Sequence, residues 1–405
     1  MDQKQKNLII LILGFLAAIG PFSIDMYLPA FPAIAKDLET DISHVAYSLT
    51  SFFIGISIGQ ILYGPLIDRF GRKKPLIVGL ILYIITSLGC ALSPNVEWLV
   101  GLRFLLALGG CAGMVASRAI VRDIFPPNQI AGVFSTLLLI MGVAPIVAPT
   151  IGGYVVAELG WRAVFYILTG ISTLMLLSVI YWLPESKEPD PSISLKPKGI
   201  IKDYREVFRV PQFVIYTFTG AMASAGMFAY ISGSPFVFME LFELTEKQYG
   251  WIFGINAFGI IGSSQLNRIW LKHQSSEKIV MRVIIALSII GMLLLAGVTG
   301  DFINKETALV LIFLFLCCLG FSYPNTTALA LSPFTRFAGS ASAMIGFIQM
   351  VCGAIASAFV GYFHNGTAMP MAIIMGLCAS LSLASLVGLR PSMNKKLAEA
   401  SISES

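Results

Sequence analysis

The stretch LIILILGFLAAIGPFSIDMYLP, Leu8–Pro29, decides how the chain is read. At about 1.5 Å per helical residue it is long enough to cross roughly 30 Å of hydrocarbon. Its single charged residue is Asp25, inside Ile24-Asp25-Met26-Tyr27-Leu28-Pro29. An ionised carboxylate is costly at that depth, so Asp25 either works within the membrane or caps a helix at its surface. The charged start before it holds Lys4 and Lys6. The apolar run outlasts a signal-peptide core and has no small-residue cleavage site behind it, so it is expected to stay as a membrane helix.

Working outward, apolar runs of this kind recur at 8–28, 44–65, 75–93, 98–122, 129–157, 162–183, 211–238, 247–268, 279–299, 307–332, 339–363 and 369–389. Of the 405 residues, 56% are hydrophobic and 12% charged, which is not the surface of a water-soluble domain. The expected fold is all-α and integral to a membrane, with twelve transmembrane helices. If both termini are cytoplasmic, most of the 27 Lys and Arg residues fall on the cytoplasmic side, with Lys36, Arg162, Lys247 and Lys305 outside. The net charge of +5 then reports topology and contact with lipid headgroups rather than nucleic acid. The six cysteines lie inside apolar runs and the three histidines far apart, so neither disulfides nor a metal site is expected.

Between Pro184 and Pro211 the chain turns charged and proline-rich, which divides it into a six-helix bundle (1–184), a cytoplasmic linker (185–210) and a second six-helix bundle with a short tail (211–405). Asp68-Arg69 after the second run is echoed by Asn267-Arg268 after the eighth, and Ala131-Gly132 by Ala338-Gly339. Pseudo-symmetric bundles related by such a repeat place a substrate cavity at the midplane.

The most specific motif is the turn GPLIDRFGRKK, Gly64–Lys74. Gly64 and Gly71 would permit close helix approach and a tight turn, and Asp68 could face a helix N-terminus or an arginine. Arg69, Arg72, Lys73 and Lys74 could serve topology alone. The motif resembles the loop signature of the major facilitator superfamily of secondary transporters. The resemblance implies that Asp68 latches the two bundles on the cytoplasmic side, with Arg118 and Arg122 as partners.

Arg103 stands five residues into the fourth run, at a depth matching that of Asp25. It could snorkel to the interface. Opposite charges that are each costly alone become tolerable as a pair or near-pair, and that is the expectation for Asp25 and Arg103. In the fifth run Gly142, Pro145, Pro149, Gly152 and Gly153 could serve packing alone. Their spacing resembles the antiporter signature of drug:proton exchangers, with Ala144 where that pattern has glycine. The first-run hexapeptide, Gly320–Asn325 and Gly339–Met350 resemble the bicyclomycin-resistance (Bcr/CflA) branch.

That resemblance implies proton-coupled efflux of small amphiphilic compounds of bicyclomycin, phenicol or sulfonamide type by alternating access in a bacterial inner membrane. It also leaves open transport of a small metabolite such as cysteine, a sugar or an organic acid. The proton is the coupling ion, no other cofactor is expected, and the working form is a monomer among lipids. Asp25 and Arg103 are the expected proton-coupling residues. Phe22, Met26, Tyr27, Tyr230, Asn256, Tyr323, Asn325 and Gln349 are the expected cavity, each also able simply to pack or to hydrogen-bond a neighbouring helix. The sequence holds no Ser/Lys, paired-Asp or His/Glu constellation for an intramembrane enzyme, and no filter-like loop for a channel.

Overall fold

A computed structural model describes residues 3–191, 205–300, 304–334 and 338–403; the linker residues Lys196, Lys198 and Lys202 lie outside these. Among the described residues the architecture is helical, without strands. The helices are α1 (Gln3–Asp25), α2 (Phe31–Asp37), α3 (Ile42–Arg69), α4 (Lys73–Ala91), α5 (Val96–Ile124), α6 (Pro127–Leu159) and α7 (Arg162–Trp182). They continue with α8 (Pro211–Pro235), α9 (Glu246–Trp270), α10 (Ser276–Thr299), α11 (Lys305–Leu331), α12 (Ala338–Tyr362) and α13 (Met369–Ser403). Each of the twelve apolar runs forms one helix, except that the first breaks after Asp25 and the seventh passes from α8 into a π-helical segment over Phe236–Leu241.

Local signals set several ends. Asn95 and Asn304 accept from the backbone N–H groups of Trp98 and Thr307, at 3.0 and 2.9 Å, and cap α5 and α11. Gly160, with φ +80°, ends α6 in a conformation that suits glycine. Eleven helical segments among the described residues are long and apolar enough to span a membrane. The helix of the eighth apolar run, α9, is 25 residues long and so has the length, but Asn256, Ser263, Ser264, Gln265 and Asn267 dilute its hydrophobicity. Val78 and Ile85 of α4 stand 66% and 62% exposed, an outward apolar face that only lipid would cover.

The chain forms two compact units. One comprises Met1–Leu195 with Ser234–Ala257, and the other Lys196–Gly233 with Phe258–Ser405. The stretch Ser234–Ala257, expected with the second bundle, packs with the first because glycines on α6 and α9 let their backbones approach, as described below. Inside the first unit α5 is central, packed by α3 and α4, while α1 lies on α5 and α6. Added side chains would not fit these crossings: a Cβ at Gly55 would stand 2.6 Å from the Phe104 carbonyl oxygen, and one at Gly109 2.6 Å from the Tyr83 nitrogen. In the second unit α10 packs on α11 and α13.

Candidate functional site

The first helix stops where its sequence requires. Continuing past Asp25 would need a backbone N–H from residue 29, and Pro29 has none. Instead Met26 donates to Phe22 at 3.2 Å, Tyr27 donates to the Ile24 carbonyl at 3.2 Å, and a 3₁₀ turn over Leu28–Ala30 leads into α2. The Ser23 carbonyl thereby loses its usual donor, the N–H four residues on. Arg103 of α5 fills the place, with Nη1 donating to Ser23 O at 3.0 Å. A cation at a helix C-terminus also complements the helix dipole.

Arg103 is fully buried, so it does not snorkel. Its guanidinium carbon lies 4.4 Å from the Tyr27 ring centroid and 4.2 Å from that of Phe52, a cation–π cage. Two hydroxyl pairs brace the cage. Ser23 Oγ spends its proton on Ile19 O, so Tyr83 is the donor in the 2.6 Å contact between Tyr83 OH and Ser23 Oγ. Ser48 Oγ likewise donates to Val45 O, which makes Tyr27 the donor to Ser48 at 2.7 Å. Nε and Nη2 of Arg103 have no hydrogen-bond partner among the described residues. A buried donor left so costs about 1–3 kcal/mol.

Asp25 is also buried, 5% exposed, and makes no hydrogen bond or ion pair among the described residues. The expected Asp25–Arg103 pair is therefore not formed in this structure. Successive helical residues are about 100° apart, so Asp25 leaves α1 on roughly the opposite side from Ser23, which faces Tyr83. Gly152 of α6 passes against the same break: a Cβ there would lie 2.4 Å from Met26 O and 2.9 Å from Met26 Cα. One residue of the antiporter-like motif thus seats the backbone next to Asp25.

The turn after α3 forms a second cluster. Arg72, 6% exposed, donates from Nη1 to Asp68 at 2.6 Å and from Nε to Asp123 at 2.7 Å. Burial alone would lower the pKa of Arg72, but its hydrogen bonds to Asp123 and Asp68 outweigh that and hold it above the ordinary value. Lys187 donates to Asp68 at 3.2 Å, and Glu185 accepts from the Arg72 and Lys73 backbone N–H groups at 2.7 and 3.1 Å, capping α4. Asp68 therefore pairs with Arg72 and Lys187. The expected partners Arg118 and Arg122 are exposed on α5 and form no ion pair with it, because Arg72 lies only four residues from Asp68 across the turn. Arg69 lies over the Phe70 ring, 5.8 Å from its centroid. Gly71 has φ +83°, and a Cβ there would meet Glu185 Oε2 at 3.0 Å, so the tight turn does require glycine. Gly64 does not bear out the close approach expected of it, since a Cβ at that position would meet nothing within 4 Å.

The rest of the antiporter-like motif lies in α6, which stays helical through Gly142, Pro145 and Pro149. A Cβ at Gly153 would stand 2.4 Å from Glu246 O, and one at Gly250 2.6 Å from Pro149 O. Thr150 Oγ1 donates to Gly250 O at 3.3 Å, and Lys247 pairs with Glu158 at 2.6 Å.

Of the expected cavity residues in the first unit, Phe22 is half-buried, while Met26, Tyr27 and Asn256 are buried. Tyr27 is committed to Arg103, Ser48 and the rings of Phe31 and Phe165, which makes it a brace of the arginine rather than an open wall. In the second unit Tyr230 and Gln349 are buried, and Tyr323 is 51% exposed. Asn325 donates to Asn267 Oδ1 at 2.7 Å and to Phe321 O at 2.8 Å, so it ties α11 to α9. Sequence reasoning missed Ser23, Phe52, Tyr83, Asp123 and Glu185. Only the prolines, which mark the break at Asp25, signalled the place where three of these meet.

A helical chain whose apolar segments are long enough to span a membrane and fall into two compact units, with the Asp68–Arg72 cluster at the turn after α3, has the make-up of a membrane transporter. The sequence profile of the Major Facilitator Superfamily matches residues 13–359, and the chain belongs to that family. It is 36% identical to an uncharacterized MFS-type transporter, YdgK, of Bacillus subtilis, over 95% of this chain and 96% of the relative. It is 32% identical to a bicyclomycin resistance protein homolog of Haemophilus influenzae, over 94% and 96%. A third relative, the multidrug resistance protein MdtL of Klebsiella pneumoniae, is 28% identical over 92% of each chain. Among solved structures, a D-xylose-proton symporter superposes with TM-score 0.71 at 16% identity, covering 93% of this chain and 96% of that one. A peptide transporter gives TM-score 0.73 at 16% identity and 95% coverage of each. These share the fold.

Proposed function

We propose that this chain exports small amphiphilic molecules from a bacterial cytoplasm in exchange for protons, by alternating access across the inner membrane. The observation that carries the reading is a buried carboxylate, Asp25, set at the break of α1 without a counter-ion among the described residues. Such a group is costly in a membrane interior unless its charge state is used. Asp25 is the coupling acid in this reading: it takes a proton from outside and yields it inwards when cargo arrives from the cytoplasm. Arg103 of α5, anchored on the carbonyl of Ser23 two residues before Asp25, puts a positive charge at the same helix end without pairing with the acid. Each charge moved inwards gains about 2.3 kcal/mol per 100 mV, with any pH gradient in addition.

Support for the direction comes from the relatives named for bicyclomycin and multidrug resistance. With one embedded acid the cargo is neutral, zwitterionic or monocationic, of bicyclomycin, phenicol or sulfonamide type. The working unit is a single chain among lipids, with both termini cytoplasmic. The test is cargo-induced proton movement and pH-driven flux in vesicles, wild type against Asp25→Asn. Coupled flux in wild type and its loss in the variant support the reading. Undiminished coupling in Asp25→Asn, or flux only in the uptake direction, overturns it.

A further inference from the structure

Arg103 carries more hydrogen-bonding capacity than the protein uses. Nη1 is held by Ser23 O, and the Tyr27 and Phe52 rings flank the guanidinium. Of the four N–H groups left, that of Nε and one of Nη2 lie on one edge of the planar group, where they run parallel at the spacing of two carboxylate oxygens. Both are fully enclosed and have no partner among the described residues. The nearby hydroxyls do not compete for this edge, since Ser23 and Ser48 each accept from a tyrosine and donate to a backbone carbonyl.

We propose that the Nε/Nη2 edge of Arg103 is a subsite for a carboxylate on the transported molecule, and that the preferred cargo is a small amphiphilic zwitterion. This rests on the reading that Asp25 and Arg103 form the transport site. A neutral carbonyl would satisfy one donor and leave the other buried, whereas a carboxylate fills both and brings the charge that the cage lacks. Asp25 does not fill this edge, since Nε and Nη2 have no partner among the described residues. Its carboxylate can take the cationic end of the same molecule.

The experiment is equilibrium dialysis of full-length protein in nanodiscs with 4-(aminomethyl)benzoate, a zwitterion, and separately with its methyl ester. The acid should bind at least about tenfold more tightly than the ester in wild type. The preference should vanish in Arg103→Lys, whose ammonium cannot form the two-pronged contact. Equal binding of acid and ester in wild type, or binding of neither, overturns the proposal without recourse to any variant. So does an acid preference that persists in folded Arg103→Lys. An acid preference that emerges only in Asp25→Asn also overturns it, because Asp25 then occupies the edge. The antiport reading fails separately: if Asp25→Asn still exchanges protons for cargo, coupling lies elsewhere while the acid-over-ester preference stands.

Discussion

Arg72 and Arg103 are both buried arginines in the same compact unit, and they are treated in opposite ways. Arg72 meets two carboxylates, Asp68 and Asp123, and its backbone N–H is taken by Glu185. Arg103 meets a single carbonyl and two aromatic rings, with one edge of donors left over. A charge whose partners are all present fixes a structure, and removing it strands the partners. A charge short of partners burdens the fold, which makes it the better candidate for work done on something that arrives.

The comparison breaks most sharply with methionine at each position. Arg103→Met should abolish coupled flux while leaving the thermal midpoint in nanodiscs unchanged or raised. Replacing a poorly compensated buried charge by an apolar side chain is neutral or stabilising by about 1–4 kcal/mol. Arg72→Met should lower stability by about 2–4 kcal/mol, because Asp68 and Asp123 lose their shared cation. A large midpoint loss in the first variant with none in the second would reverse the assignment of roles.

Glycines around the two arginines sharpen it further. Gly152→Val should cost about 1–3 kcal/mol and disturb flux, because its side chain would drive into the Met26 backbone beside Asp25. Gly71→Ala should cost about 1–2 kcal/mol through its positive φ, read as a lower midpoint with little change in flux per folded molecule. Gly64→Ala, at a helical site with nothing within 4 Å of the added carbon, should leave both measurements unchanged or raise the midpoint slightly.

Much of the transporter was legible before its structure. The apolar runs became helices, broken in the first run after Asp25, since a bilayer-spanning segment must satisfy its backbone internally and so announces itself locally. Asp25 stood out by its rarity, and Pro29, four residues on, marks where α1 has to stop. The same local logic failed for partners. Arg118 and Arg122 were plausible cations for Asp68, yet Arg72 and Lys187 take it. Gly64 and Gly71 look equivalent in the motif, but only Gly71 has a positive φ and a neighbour pressed against it. Tyr27 reads as a pocket wall and proves to be a brace for Arg103.

By itself, then, the sequence determined that the chain lives in a membrane, where its helices run, which family it belongs to and which acid is out of place. Each of those follows from transfer free energies and short-range motifs. Only the tertiary structure decided that Arg103 caps a broken helix from 80 residues away, and that Glu185 caps α4 across 113 residues. Such partners depend on which helix faces meet, and that is set by the packing of many small side chains together rather than by any one stretch.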